Sequence, residues 1–163
     1  MRSSSVLLLA VTFAVCVPSA FAAGTEADCP ITQAPAQPFA PPLGYSLSRG
    51  SFAFGTPELW VDLNPHWRLN RQSNKMPFFS EDFIYGKSEP RLVVVARQLD
   101  SPTPLIWSDL VSDGNPLPRI PNNHGFMVTG LPIPTIGCWE ITARYSPASN
   151  KNYTLTYTVW VGQ

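Results

Sequence analysis

The chain has 163 residues, and its 11 Lys and Arg cancel its 11 Asp and Glu. Without a basic cluster it lacks the positive surface that nucleic acids or anionic lipid surfaces require, which argues against both as partners. Charged residues make up only 13% of the chain, while proline reaches 18 residues and aromatics 12%. This balance disfavours long helices, since proline removes a backbone donor and clashes with the preceding turn, and it suits short strands joined by irregular loops.

Taken in chain order, residues 1–22 have the three-part layout of a secretory signal. A short positive start at Arg2 leads into an apolar run over 6–17, then Pro18 and the small-residue pattern Ala20-Phe21-Ala22. The run is shorter than the roughly 20 residues that span a bilayer. Cleavage is expected after Ala22, with export to the periplasm or the extracellular space; reading Cys16 as a lipidated residue is the alternative, against which Val15 is a poor neighbour. No later stretch approaches membrane-spanning length. The remainder suits one domain.

Residues 23–48 form a proline-rich extended segment, with Pro30, Pro35, Pro38, Pro41 and Pro42. Such a stretch takes polyproline-II geometry and stays out of sheet interiors. It reads as a strap laid over the domain, or as a spacer or ligand for a partner's aromatic groove. Residues 49–163 are expected to form the β domain. Strands are predicted at 52–54 and at 59–63, where Leu59, Val61 and Leu63 alternate with Trp60 and Asp62. Further strand signal lies within 76–85. Residues 92–96 are continuously apolar and β-branched, which predicts burial on both faces. The stretch 100–124 is loop-rich with a short strand near 105–107, and another strand is expected at 126–129. Finally, 138–145 and 153–161 alternate across a polar loop, which signals a hairpin. Trp139, Ile141, Ala143 and Tyr145 should share one face, opposite Cys138, Glu140, Thr142 and Arg144. About seven or eight short strands without an amphipathic helix predict an all-β fold, an antiparallel β-sandwich of immunoglobulin-like type, with a small β-barrel as alternative.

Cys29 and Cys138 remain after cleavage. An oxidising compartment and an even count favour a disulfide between them over two free thiols.

Three stretches carry a resemblance. Ile136-Gly137-Cys138-Trp139-Glu140-Ile141-Thr142, with the final Thr158-Val159-Trp160-Val161, resembles the "GCWEIT…VVWV" ending of small exported bacterial proteins of unknown function. The segments 52–60 and 89–102 are similar to further stretches of the same group, and the last loop here is longer. The resemblance implies a bacterial, exported β domain in which Cys29 and Cys138 match the group's cysteines. It implies no activity.

Residues that bear chemistry are sparse. His66 and His124 have no ligand-spaced partner, so neither a zinc site nor any other cofactor is expected. No Gly-x-Ser-x-Gly occurs. Glu58 and Asp62 lie four apart, a spacing compatible with glycosidase carboxylates or with solvated rim acids. Glu140 invites an ion pair with Arg144, or across strands with Arg97. Asn152-Tyr153-Thr154 matches a glycosylation sequon, a three-residue motif common by chance. Aromatics are the main lead: Trp60, Trp67, Phe78 and Phe79, with Arg68 and Arg71, form a candidate face for a protein or an envelope glycan. Tyr85 and Trp107 add to the surplus, and a second packed face of the sandwich is the competing explanation. The function expected is a non-enzymatic, exported binding domain. Alternatives are a carbohydrate-binding or carbohydrate-acting module, using Trp60 and Trp67 with Glu58 and Asp62, and a purely structural envelope domain.

Overall fold

The structure, a computed structural model, describes residues 24–42, 45–69, 74–108, 111–113, 124–148 and 150–163. The predicted signal segment, Cys16 and Arg71 lie outside these. The described chain begins with a short 3-10 turn, η1 (Glu26–Asp28), and then forms β1 (Phe52–Thr56), β2 (Leu59–Leu63), β3 (His66–Arg68), β4 (Asn74–Phe79), β5 (Leu92–Gln98), β6 (Ile106–Trp107), β7 (Val111–Asp113), β8 (Met127–Leu131), β9 (Gly137–Ala148) and β10 (Lys151–Gly162). The strands make two five-stranded sheets, ordered β1-β2-β4-β8-β7 and β3-β10-β9-β5-β6. The protein is therefore a β-sandwich and not one closed barrel. Among the described residues no helix is long and apolar enough to cross a membrane.

Period-2 patterning decides the second sheet. Along β9 the Trp139, Ile141, Ala143 and Tyr145 side chains are fully buried, while Glu140 and Thr142 are half-buried and Arg144 is exposed on the other face. The partner strand follows suit, with Ile141 opposite Tyr157 and Trp139 opposite Val159. On the outside the hydroxyls of Thr142 and Thr156 meet at 3.1 Å, and Arg97 reaches Glu140 at 2.8 Å, the cross-strand partner rather than Arg144. The hairpin is longer than its polar loop suggests. Both strands run on to Ala148 and from Lys151, with a register shift between Lys151 and Tyr153. Pro147 is tolerated in β9 because the β5 ladder ends at Tyr145, leaving it one neighbouring strand.

Strand β5 corrects the expectation of two buried faces. Leu92, Val94, Ala96 and Gln98 point inward, but Val93 is 48% exposed and Arg97 is exposed as well. Along β5 the outer side of this sheet is left open at Val93 and Arg97. The β-branched run reflects a fit to the pleated surface and not double coverage. Two strands carry no periodic signal, β3 and β7. The first follows Asn64-Pro65 and pairs in parallel with β10 over Trp160–Gly162, matching His66–Arg68.

The inner faces meet in one core containing Val61, Phe78, Phe83, Trp139, Ile141 and Tyr157. A second, smaller cluster lies on the outer face of the first sheet. Trp60 stacks on Phe79 with centroids 4.1 Å apart, and the proline-rich segment closes over them with Tyr45, 5.2 Å from Trp60, and Phe39, 5.6 Å away. That segment is thus a strap that completes a layer. Three ties hold it. A disulfide joins Cys29 to Cys138 across 109 residues of sequence. Thr32 exchanges two hydrogen bonds with the backbone of Thr158, at 3.0 and 2.8 Å. The third tie is Asp62, whose Oδ2 accepts bonds from the Tyr45 hydroxyl at 3.0 Å, the Ser48 N–H at 2.9 Å and the Ser48 hydroxyl at 2.7 Å, while its Oδ1 accepts one from Ser51. Burial first, and then the Asp62 charge, push the Tyr45 hydroxyl well above its usual range.

The amino end of β9 is organised by two polar side chains. Gln98 donates to the Ile136 carbonyl at 3.2 Å and accepts from the Thr103 and Thr135 hydroxyls at 2.6 and 2.8 Å. Asp100 accepts the Cys138 N–H at 3.2 Å. Gly137, at φ 140°, allows this approach. A Cβ there would stand 2.6 Å from Gln98 Nε2 and 2.9 Å from both Asp100 carboxylate oxygens. Gly137→Ala is therefore expected to cost about 1–3 kcal/mol, read as a shift of the urea midpoint. An unshifted midpoint would show that the close approach is not needed.

Asp82 ties the turn after β4 to the hairpin. Both carboxylate oxygens accept from Lys151 Nζ at 3.0 Å, and Oδ2 also accepts from the Tyr153 hydroxyl. These partners, the Tyr153 hydroxyl first and then the Lys151 ammonium, hold the Asp82 carboxyl below the usual carboxylate range. Burial and then the nearby Asp82 charge push the Tyr145 hydroxyl up to about 12. A depressed folded-state value means the contribution of Asp82 is present above the unfolded value of about 3.9 and is lost as pH falls through the lower folded value. Urea titrations from pH 6 downward should show wild type losing stability more steeply than Asp82→Asn, by about 1 kcal/mol or less because the site is partly solvated. Parallel curves would remove Asp82 as a contributor.

Candidate functional site

The first sheet is not continuous. Strand β2 pairs with β1 along its whole length but with β4 only at Trp60–Phe79 and Val61–Phe78. If that register continued, Asp62 would face Pro77 and Leu63 would face Met76. Pro77 brings no N–H to the ladder, and the Asp62 side chain is turned toward the strap. The strands part, and a cleft of about 670 Å³ opens between them.

Its inner end is apolar, formed by Val61, Leu63, Met76 and Tyr157. The Tyr157 hydroxyl donates to Met76 Sδ at 3.2 Å, and full burial drives that phenol far above its ordinary range. One wall is β3, the edge strand of the opposite sheet, which supplies His66, Trp67 and Arg68. Asn64 sets the start of this wall. Its Oδ1 accepts the His66 N–H at 3.0 Å, and its carbonyl accepts the Trp67 indole N–H at 2.8 Å, which fixes the ring at the rim. Ser48, Ser51, Asp62 and Lys75 complete the mouth. His66 Nδ1 lies 3.0 Å from Glu26 Oε1. Among the described residues neither Arg68 nor Lys75 is in an ion pair, and both are exposed. The arrangement is an apolar slot with a half-buried indole and two unpaired cations at its entrance.

The candidate face read from sequence does not assemble. Trp60, Phe78 and Phe79 are 2%, 0% and 3% exposed, because Phe78 points into the main core and the other two lie under the strap. Trp67 and Arg68 belong instead to the cleft, and Arg71 lies outside the described residues. Sequence reasoning missed Lys75, Asn64 and Tyr157 as lining residues. The readable signal was Pro77 set across from Asp62, an interruption in an otherwise good ladder.

The carboxylate pair also fails to gather. Glu58 sits in the turn between β1 and β2, where the Thr56 hydroxyl holds its carboxyl below the ordinary range, and it does not line the cleft. Asp62 does, but its oxygens are already occupied by strap donors. Neither is placed as a glycosidase acid or base. Among the described residues no group of three or more His, Cys, Asp and Glu is placed to hold a metal ion. A separate apolar strip lies on the outer face of the second sheet, where Trp107, 55% exposed, pairs with Val95 beside Val93.

No protein family, curated protein or solved structure matches the chain.

Proposed function

We propose that the protein is an exported domain, periplasmic or extracellular, that binds an anionic envelope glycan in the β2–β4 cleft and acts by binding rather than by catalysis. The cleft carries the reading. A concave slot suits one or two sugar units, where a folded protein partner would need a broad face. The Trp67 indole offers a stacking surface for a sugar ring, and Arg68 and Lys75 offer charge-assisted donors for a carboxylate. The signal-like residues 1–22 support export, as does a disulfide, a bond that persists in oxidising compartments. The resemblance to small exported bacterial proteins points the same way.

Co-sedimentation with isolated peptidoglycan sacculi tests this. Wild-type protein is expected in the pellet at low salt and to leave it as salt rises. The Arg68→Ala, Lys75→Ala double variant should bind about tenfold more weakly. Wild-type protein that stays in the supernatant, or a double variant that pellets equally, would refute the reading.

A further inference from the structure

The apolar inner end of the cleft contains one polar side-chain group, and its partner is a poor one. The Tyr157 hydroxyl donates to Met76 Sδ at 3.2 Å, its single hydrogen bond among the described residues. A thioether is a weak acceptor, so a strong donor is withdrawn from water and gains little in exchange. Tyr157 and Met76 both line the cleft. The other residues of that end, Val61 and Leu63, offer hydrocarbon side chains. The phenol ring is fixed in place, since Tyr157 is paired with Ile141 in the ladder and meets Phe54 edge-on at 6.3 Å. Full burial keeps the phenol protonated, so the group remains an O–H donor.

A ligand group that reaches this depth meets one neutral donor beside hydrocarbon. A charged oxygen would be desolvated there without a counter-charge. A sugar hydroxyl would bring a further donor, with only the thioether to accept it. An acetamido group fits both demands: its carbonyl oxygen is a strong acceptor, and its methyl suits the apolar wall. Its N–H has a place as well. The β2–β4 ladder stops at Val61–Phe78, so beyond that pair the backbone of β2 has no partner on its β4 side. We propose that Tyr157 is the specificity-determining residue of the cleft, and that it selects a sugar whose acetamido group neighbours its carboxylate-bearing substituent. The acetamido oxygen takes the hydroxyl from Met76 Sδ, while the carboxylate stays at the mouth with Arg68 and Lys75. Lys75 and Met76 follow one another in β4, which sets the charged and apolar subsites side by side, as two neighbouring substituents on one ring require. The inference rests on the glycan reading and names which acidic glycan the cleft takes.

The test compares two sugars, N-acetylmuramic acid and its analogue with a hydroxyl in place of the acetamido group. Kd is read by NMR titration of wild type, Tyr157→Phe and Met76→Leu. Wild type is expected to bind the acetamido sugar about tenfold more tightly than the analogue. Tyr157→Phe should lose most of that preference while binding the analogue as wild type does. Met76→Leu keeps the volume and removes the sulfur, which leaves the hydroxyl to the ligand, so the preference should widen several-fold. Equal affinity of wild type for the two sugars overturns the assignment of Tyr157 and leaves the glycan reading standing, as does a preference that survives in Tyr157→Phe. Should Tyr157→Phe fail to fold, Met76→Leu decides, and an unchanged or smaller preference overturns the assignment. Binding of neither sugar by wild type overturns the glycan reading and the assignment together.

Discussion

Cys29→Ser is expected to destabilise the protein by about 4–5 kcal/mol, the chain-entropy value for closing a loop of this length. The bond spans 109 residues and joins the strap to the start of β9, so its removal frees most of the polypeptide in the unfolded state. In the folded state it also frees the segment that carries Thr32 to Thr158 and, further on, Phe39 and Tyr45 to Trp60. The loss should therefore reach the outer cluster and not only the corner at Cys138. Reduction of the wild-type protein should reproduce it. Urea unfolding with and without reductant is the measurement, and superimposable curves would show that the strap is held without the bond.

Trp60→Ala is expected to cost about 3–5 kcal/mol, as for other large-to-small changes at buried aromatics. The indole stacks on Phe79, and the strap rings of Tyr45 and Phe39 pack against it, Tyr45 touching Phe79 as well. Truncation leaves a void roofed by a proline-rich segment, and it removes the surface on which that segment rests. The same substitution at an exposed binding aromatic would fall within about 0.5 kcal/mol. Thermal or urea unfolding separates the two, and a near-neutral result would mean that Trp60 is a surface residue after all.

What the sequence revealed and concealed follows from where each pattern has its cause. The β9–β10 hairpin is legible because both strands bury one complete face, which writes alternation directly into 138–145 and 153–161. The Cys29–Cys138 bond is legible from the even count that an expected signal cleavage leaves, and Glu140 with Arg97 from charge on a shared outer face. The run at 92–96 misleads because β-branched residues suit a pleated strand whether or not its outer side is covered. Strand β3 is three residues held by a parallel edge contact and an Asn64 turn, too short to show any period. The candidate face was misread for a related reason. Trp60 and Phe79 alternate outward as exposed residues would, and the layer that covers them comes from the proline-rich segment, whose Phe39 and Tyr45 have no regular spacing. The cleft, in turn, is defined by pairing that stops, and only Pro77 hints at where.

The most direct test of the cleft as the binding site is amide chemical-shift mapping of the ¹⁵N-labelled protein with a soluble peptidoglycan disaccharide bearing its carboxylate. Shifts are expected to saturate and to concentrate on the cleft walls, at Leu63, Asn64, Trp67, Arg68 and Lys75, with the indole N–H of Trp67 among them. Shifts centred instead on Val93, Val95 and Trp107 would contradict it, as would a spectrum that does not change.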